Sequence, residues 1–240
     1  MFSPPQDLIE QKWRMNMKKL PLCFLVILSL SNAFAQTDLS GKVIVFPRQS
    51  QDSYVTLIPH LEKPLKAFTV CLKFYTDVTR AYSLFSFATQ ALDNEILLYH
   101  ERDSSNFSLL VGNTGAMFQV PEAAFAPRHF CASWESESGI AELWVDGKPM
   151  VRKALQRGYV VQNQAKIILG QDQDSFGGTF DEKQSLVGDI GDIFMWDFAL
   201  SPGEVNSVYL GEAFSPNVLD WTKLKFEQKG YVVIKPKLWI

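Results

Sequence analysis

Hydrophobic residues in this chain come in short runs, and no run continues at helical spacing. The stretches 42–46, 68–74, 83–87, 95–99, 107–111, 129–134, 140–145, 166–169 and 190–196 are rich in β-branched and aromatic residues. Turn-forming residues separate them, so they read as strands. Asp146-Gly147 between two of them is a hairpin signal. Many short strands at this spacing predict an all-β protein, a two-sheet jelly-roll sandwich of lectin-like type. One short helix is expected. Ser201 supplies its N-cap, Pro202 its first position and Glu204 a capping-box partner. Val205, Val208 and Tyr209 then share one face, and Gly211 ends it. With 240 residues, 47% of them hydrophobic and 20% charged, one sizeable core suffices and a second domain is not required.

The N-terminal stretch reads as a targeting segment rather than as part of the core. Lys18-Lys19 precede an apolar run from Leu20 to Leu30, and Ala33-Phe34-Ala35 forms a small-residue cleavage site. The run is too short to span a membrane. Residues 1–35 are therefore an upstream extension plus signal peptide, with translation expected to start at Met15 or Met17, and Gln36 opens the mature chain. Secretion into an extracellular, oxidising compartment follows, and there the remaining cysteines, Cys71 and Cys131, should pair. Net charge is −3 and no basic patch stands out, which argues against nucleic acid as a partner.

The candidate chemistry sits in Gly170-Gln171-Asp172-Gln173-Asp174-Ser175-Phe176-Gly177-Gly178. Acids alternate with amides and end on a glycine pair, a dense array of oxygen donors on a chain able to bend sharply. Calcium takes six to eight such oxygens. Asp93-Asn94-Glu95 offers the same chemistry, and Asp181 and Gln184 follow the glycines. An EF-hand does not fit. Counting from Asp172, the fifth and twelfth positions are Phe176 and Lys183, where oxygen ligands are needed. A jelly-roll glycosidase would need two carboxylates across a cleft, but the flanking amides suit a metal better. No H-E-x-x-H or G-x-S-x-G pattern is present, so no catalytic residue is assigned.

His129-Phe130-Cys131-Ala132-Ser133-Trp134-Glu135-Ser136 fits the pentraxin signature His-x-Cys-x-Ser/Thr-Trp-x-Ser/Thr. Ordered landmarks extend the resemblance over the mature chain: 38–42, 138–144, the 170–178 loop, 187–192 and 234–239. Residues 36–240 resemble a short pentraxin of the C-reactive protein and serum amyloid P group. Segments 38–42 and 99–102 look closer to serum amyloid P; segments 68–71, 146–149 and 214–219 look closer to C-reactive protein.

The resemblance implies a secreted homopentamer with two calcium ions per subunit and ligands bound on one face of the ring. The metal positions correspond to Asp93, Asn94, Asp172, Gln173 (through its carbonyl), Asp174, Asp181 and Gln184. Asp172 stands where glutamate is usual, one methylene shorter. In C-reactive protein, phosphocholine sits beside calcium with its choline over an aromatic ring near a glutamate. Here Tyr99 takes the aromatic position and can act by cation–π attraction. Gly115 takes the glutamate position, and Leu110 replaces a small threonine. The implied role is a pattern-recognition protein of innate immunity, of acute-phase type. Its ligands would be phosphocholine, phosphoethanolamine or other anionic or sugar groups, with complement C1q and Fc receptors as further partners. Asp146 and Tyr209 match complement-contact positions, although a turn and helix packing explain them equally well. The alternative is a lectin-like carrier whose ligand pocket has drifted. Asn106-Phe107-Ser108 is a glycosylation sequon expected to be exposed. Trp134, Trp144, Trp196 and Trp239 read as core residues, and His129 as structural.

Overall fold

The computed structural model describes residues 36–102, 105–121, 126–212 and 215–239. The signal segment and part of the 214–219 landmark lie outside the described residues. In chain order the strands are β1 (Lys42–Phe46), β2 (Tyr54–Leu57), β3 (Ala67–Tyr75), β4 (Tyr82–Thr89), β5 (Ile96–His100), β6 (Asn106–Val111), β7 (Thr114–Gln119) and β8 (Arg128–Glu135). Then come β9 (Ile140–Val145), β10 (Lys148–Pro149), β11 (Lys153–Ala154), β12 (Ala165–Leu169), β13 (Gly188–Trp196), β14 (Leu219–Asp220), β15 (Phe226–Lys229) and β16 (Val233–Pro236). The one α-helix among the described residues, α1, is Pro202–Tyr209.

Two antiparallel sheets face each other across a continuous core. One runs β10-β9-β8-β3-β13-β1-β16, with β11 also on β9 and β14 on β13; the other runs β15-β2-β12-β4-β5-β6-β7. Strand alternation sends Ile96, Leu98, Phe107, Leu109, Phe118, Phe130 and Leu143 inward to the same cluster. The expected all-β, two-sheet architecture with one α-helix is what the described residues build.

Each sheet's outer face carries something different. Outside the larger sheet lies α1, with Ser201 and Glu204 forming the capping box. Beneath it a second apolar cluster holds Cys71, Cys131, Trp144, Trp196, Leu200 and Val205. Cys71 and Cys131 stand opposite each other in the β3–β8 register and are joined by a disulfide. The β9–β10 turn places Asp146 and Gly147 at positive φ, 50° and 75°, as a two-residue hairpin loop demands. Gly147 is needed twice over, because a Cβ there would lie 2.7 Å from the Tyr209 ring.

Two expectations are corrected. Trp239 is only half-buried, because it follows the edge strand β16 and has no strand beyond it. Trp221 joins the core instead, donating its indole N–H to the Leu39 carbonyl. Asn106 is half-buried rather than exposed: it opens β6, pairs with Gln119 of β7, and gives its carbonyl to the Glu101 amide.

Candidate calcium site

Three segments converge on the outer face of the smaller sheet. After β12 the chain turns at Gly170, φ 87°, where any Cβ would sit 2.4 Å from the Phe46 ring. A side chain is excluded there by both space and backbone. The loop then folds back along the sheet. Gln171 donates through Nε2 to the carbonyls of Ser50 (2.7 Å) and Ser53 (3.0 Å). Gln173 donates through Nε2 to the carbonyls of Ser86 (2.9 Å) and Lys166 (3.1 Å), and its Oε1 accepts from the Gly177 amide. The Gln173 side chain is thus committed to the scaffold, which leaves its backbone carbonyl as the group it can offer a metal. These two fully buried amides anchor the loop; Asp172 between them is also buried, and Asp174 after them is exposed.

The second segment is the tight turn between β4 and β5. Asn94 donates its amide to the Asp93 carboxylate (3.0 Å) and is fastened from behind by the Asn113 amide on its own carbonyl. Glu95, grouped with Asp93 and Asn94 in the sequence, points elsewhere. It is fully buried and accepts from the Tyr159 hydroxyl (3.1 Å) and the Gln162 amide (2.7 Å). Glu95 therefore holds the turn and is not a donor to the site.

The third segment is a 3-10 turn, Glu182–Gln184. Asp181 caps it, accepting from the Lys183 amide. Gln184 reaches back through Nε2 to the Asp172 carboxylate at 3.4 Å. Arg80, not singled out by sequence, clamps this turn by donating to the carbonyls of Lys183 and Ser185.

The electrostatics are those of a site built for a cation. Burial pushes the Asp172 carboxyl up to about 7, with Asp174 and Asp93 adding repulsion. Burial also raises Asp174, which feels Asp93 and Asp181. Asn94 Oδ1, Asp172 Oδ1 and Gln184 Oε1 are buried oxygens with no hydrogen-bond partner, and so is Gln171 Oε1 of the first segment. Orphaned buried acceptors are costly and uncommon. A hard cation drawing on all three segments would satisfy them, and an oxygen-only mixture of carboxylate, amide and carbonyl suits calcium. The acids alone do not close into a group of three ligand atoms within 4.8 Å; among the described residues the group that does is Cys71, His129 and Cys131, whose sulfurs are spent on the disulfide.

Beside the metal positions lies a small grid of outward-facing residues. Cross-strand register gives the rows Leu97–Leu110–Gly115 and Tyr99–Ser108–Met117. Burial raises the half-buried Tyr99 phenol; the Gln184 side chain lowers it by hydrogen bonding, while Asp172 and Glu101 raise it. Tyr99 therefore stands between the candidate metal residues and Glu101. Leu110 leans over Gly115, its Cγ 3.5 Å from where a Cβ would be.

Asp146 and Tyr209 lie together on the other sheet's outer face, near α1. Both Asp146 oxygens are engaged, one by Arg128 Nε and one by the His129 amide, each at 2.8 Å. The His129 ring packs 5.4 Å from that of Tyr209, and burial lowers its imidazole to about 4, with Lys73 adding to the shift.

Comparison with known proteins gives one consistent match. The Pentaxin family model aligns with residues 42–236. Human C-reactive protein is 60% identical over 225 residues, covering 93% of this chain and all of that protein. Human serum amyloid P-component is 53% identical over 224 residues, with the same coverage. Among solved structures, the heptameric SAP-like pentraxin of Limulus polyphemus superposes with a TM-score of 0.76 at 22% identity, covering 84% of this chain and 98% of that one.

Proposed function

Because the chain belongs to the pentraxin family, and its relatives C-reactive protein and serum amyloid P-component are recognition proteins rather than enzymes, we propose that it is a secreted, calcium-dependent pattern-recognition protein. It binds phosphorylated or other anionic groups on microbes and damaged cells, with residues 36–240 as the mature domain. Two calcium ions per subunit are held by Asp93, Asn94, Asp172, the Gln173 carbonyl, Asp174, Asp181 and Gln184. The observation that carries this reading is that orphaned buried oxygens from all three converging segments lie next to the half-buried Tyr99. Calcium bridges protein to ligand phosphate, and Tyr99 with Leu110 forms the floor under the rest of the ligand. Five subunits in a homopentamer present five such sites, and on a repetitive surface this raises avidity by ~10²–10⁴ over one site. The opposite face, with Asp146 and Tyr209, is left for effectors such as complement C1q or Fc receptors. Asn106 is the glycosylation position.

A second reading, a lectin-like carrier that ignores phosphocholine, is favoured by the Leu110–Gly115 pair, which fills space where the family holds a threonine and a glutamate. One experiment decides between them. The mature protein is passed over immobilised phosphocholine and phosphoethanolamine in rising calcium, then washed with EDTA. Retention that EDTA abolishes supports the recognition reading. Calcium uptake without retention on either ligand favours the carrier, and no calcium uptake refutes the metal assignment.

A further inference from the structure

The outer face of the larger sheet carries a cleft of about 740 Å³ beside α1. We propose that this cleft binds a small α-hydroxy carboxylate with an apolar tail, its carboxylate on Lys73 and Lys237 and its hydroxyl on the His129 ring. No calcium is involved, so the inference stands apart from the metal positions on the other sheet. Lys73 of β3 and His129 of β8 are direct cross-strand partners, and such partners hold their Cβ atoms ~4.5–5.5 Å apart. An ammonium and a ring nitrogen so close together fit a carboxylate and a hydroxyl on adjacent carbons. Asp192, at the bulge of β13 with a φ of 49°, completes the floor. Both ammonium groups reach the same Asp192 oxygen, Lys237 at 3.4 Å and Lys73 at 3.8 Å, so the trio keeps one uncompensated positive charge. Of the other charges on the cleft, Lys223 and Asp220 pair at 3.7 Å and Glu212 is exposed.

His129 supplies the second contact. Its side chain is buried, and Nδ1 has no hydrogen-bond partner among the described residues. Nε2 lies 3.7 Å from Cys131 Sγ, and a disulfide sulfur has no hydrogen to give. Nε2 therefore keeps the proton, and Nδ1 presents a lone pair. Burial, and then the Lys73 ammonium, keep the imidazole neutral at pH 7, so that lone pair stays free to accept. A buried acceptor without a donor is costly, and a ligand hydroxyl removes the cost. Half-buried Phe194 and Tyr209 line the same cleft and give an apolar tail a surface to cover. A few convergent polar groups set among aromatic side chains are the usual makeup of a small-molecule pocket.

The test is equilibrium titration in EDTA, which silences any calcium-bridged binding. The probes are phenyllactate and phenylpropionate, which differ only in the α-hydroxyl, added to the mature protein, to Lys73→Gln and to His129→Phe. Phenyllactate is expected to bind about fivefold more tightly than phenylpropionate, the size of one neutral hydrogen bond. Lys73→Gln should weaken both acids about tenfold, as loss of a charge-assisted contact does. His129→Phe should bring the two acids to the same affinity. No saturable binding by the unmodified protein in the millimolar range refutes the cleft as a site. Equal affinity of the two acids for the unmodified protein refutes the His129 contact, and it needs no variant to fold. Undiminished binding by Lys73→Gln refutes the anion contact.

Discussion

Replacing Asp172 with asparagine should change stability in opposite directions with and without calcium. In the metal-free protein the Asp172 carboxyl titrates at about 7 against an ordinary 3.8, chiefly because it is buried and then because Asp174 and Asp93 face it. The folded state therefore holds this proton more tightly than the unfolded chain. Stability is undiminished below pH ~4, declines as pH rises toward 7, and above that carries a penalty of ~4 kcal/mol. Asparagine is nearly isosteric and uncharged, so in EDTA at pH 8 the variant should be more stable than the parent. Its new amide hydrogens need partners, so roughly half of the penalty is recovered, about 2 kcal/mol. The pH slope between 4 and 8 should flatten as well. In saturating calcium the sign inverts, because the variant loses a charged ligand and with it the linkage term RT ln(1 + [Ca]/Kd). Urea unfolding at pH 5 and pH 8, in EDTA and in calcium, reads all four values. A variant less stable than the parent in EDTA at pH 8 would refute the argument that these acids are strained without a cation. So would equal calcium stabilisation of both proteins.

Gly170→Ala should destabilise by ~2–4 kcal/mol and weaken calcium binding, since the φ of 87° and the Phe46 ring both oppose a Cβ; thermal unfolding and calcium titration measure the two effects. Arg80→Ala should lower calcium affinity about tenfold by freeing the carbonyls of Lys183 and Ser185 that hold Gln184 in place, with isothermal titration as the check. His129→Gln should reduce acid sensitivity. The imidazole titrates at about 4 when folded and 6.5 when free, so the unfolded chain gains the proton first. Stability is then lost as pH falls from 6.5 toward 4, by ~3 kcal/mol in the parent and less in the variant, as denaturation at pH 7 and pH 4 will show.

Most strands with two-sided neighbours were legible because burial imposes alternation on them, β2 between β15 and β12 being the exception. The runs at 68–74, 129–134 and 190–196 each became a slightly longer strand in the middle of the larger sheet. What escaped lies mainly at edges, where a strand need satisfy only one neighbour. β15 reads Phe-Glu-Gln-Lys and is mostly exposed; β16 ends on a proline, which an edge tolerates. β7 also forms an edge, and its Thr-Gly start and exposed Met117 dilute the pattern. The helix was fully legible because its capping box is local chemistry, readable without any tertiary partner.

The donor residues were visible as residue types, but their convergence was not. Asp93 and Asp172 are brought together because β12 pairs with β4 and the loop after it folds back over the pair, held by Gln173 on Ser86 and Lys166. No local spacing encodes that fold-back; long-range register and two buried glutamine side chains do. The same physics explains why Glu95 stands apart from the candidate ligands. A carboxylate one residue beyond two candidate ligands offers the same chemistry, yet the chain turns this residue, just before β5, toward Tyr159, where it is wholly buried and hydrogen-bonded. Its charge is satisfied by protein donors, whereas Asn94 Oδ1, Asp172 Oδ1 and Gln184 Oε1 have none. That contrast separates an acid that builds the scaffold from the residues the scaffold holds ready for a cation.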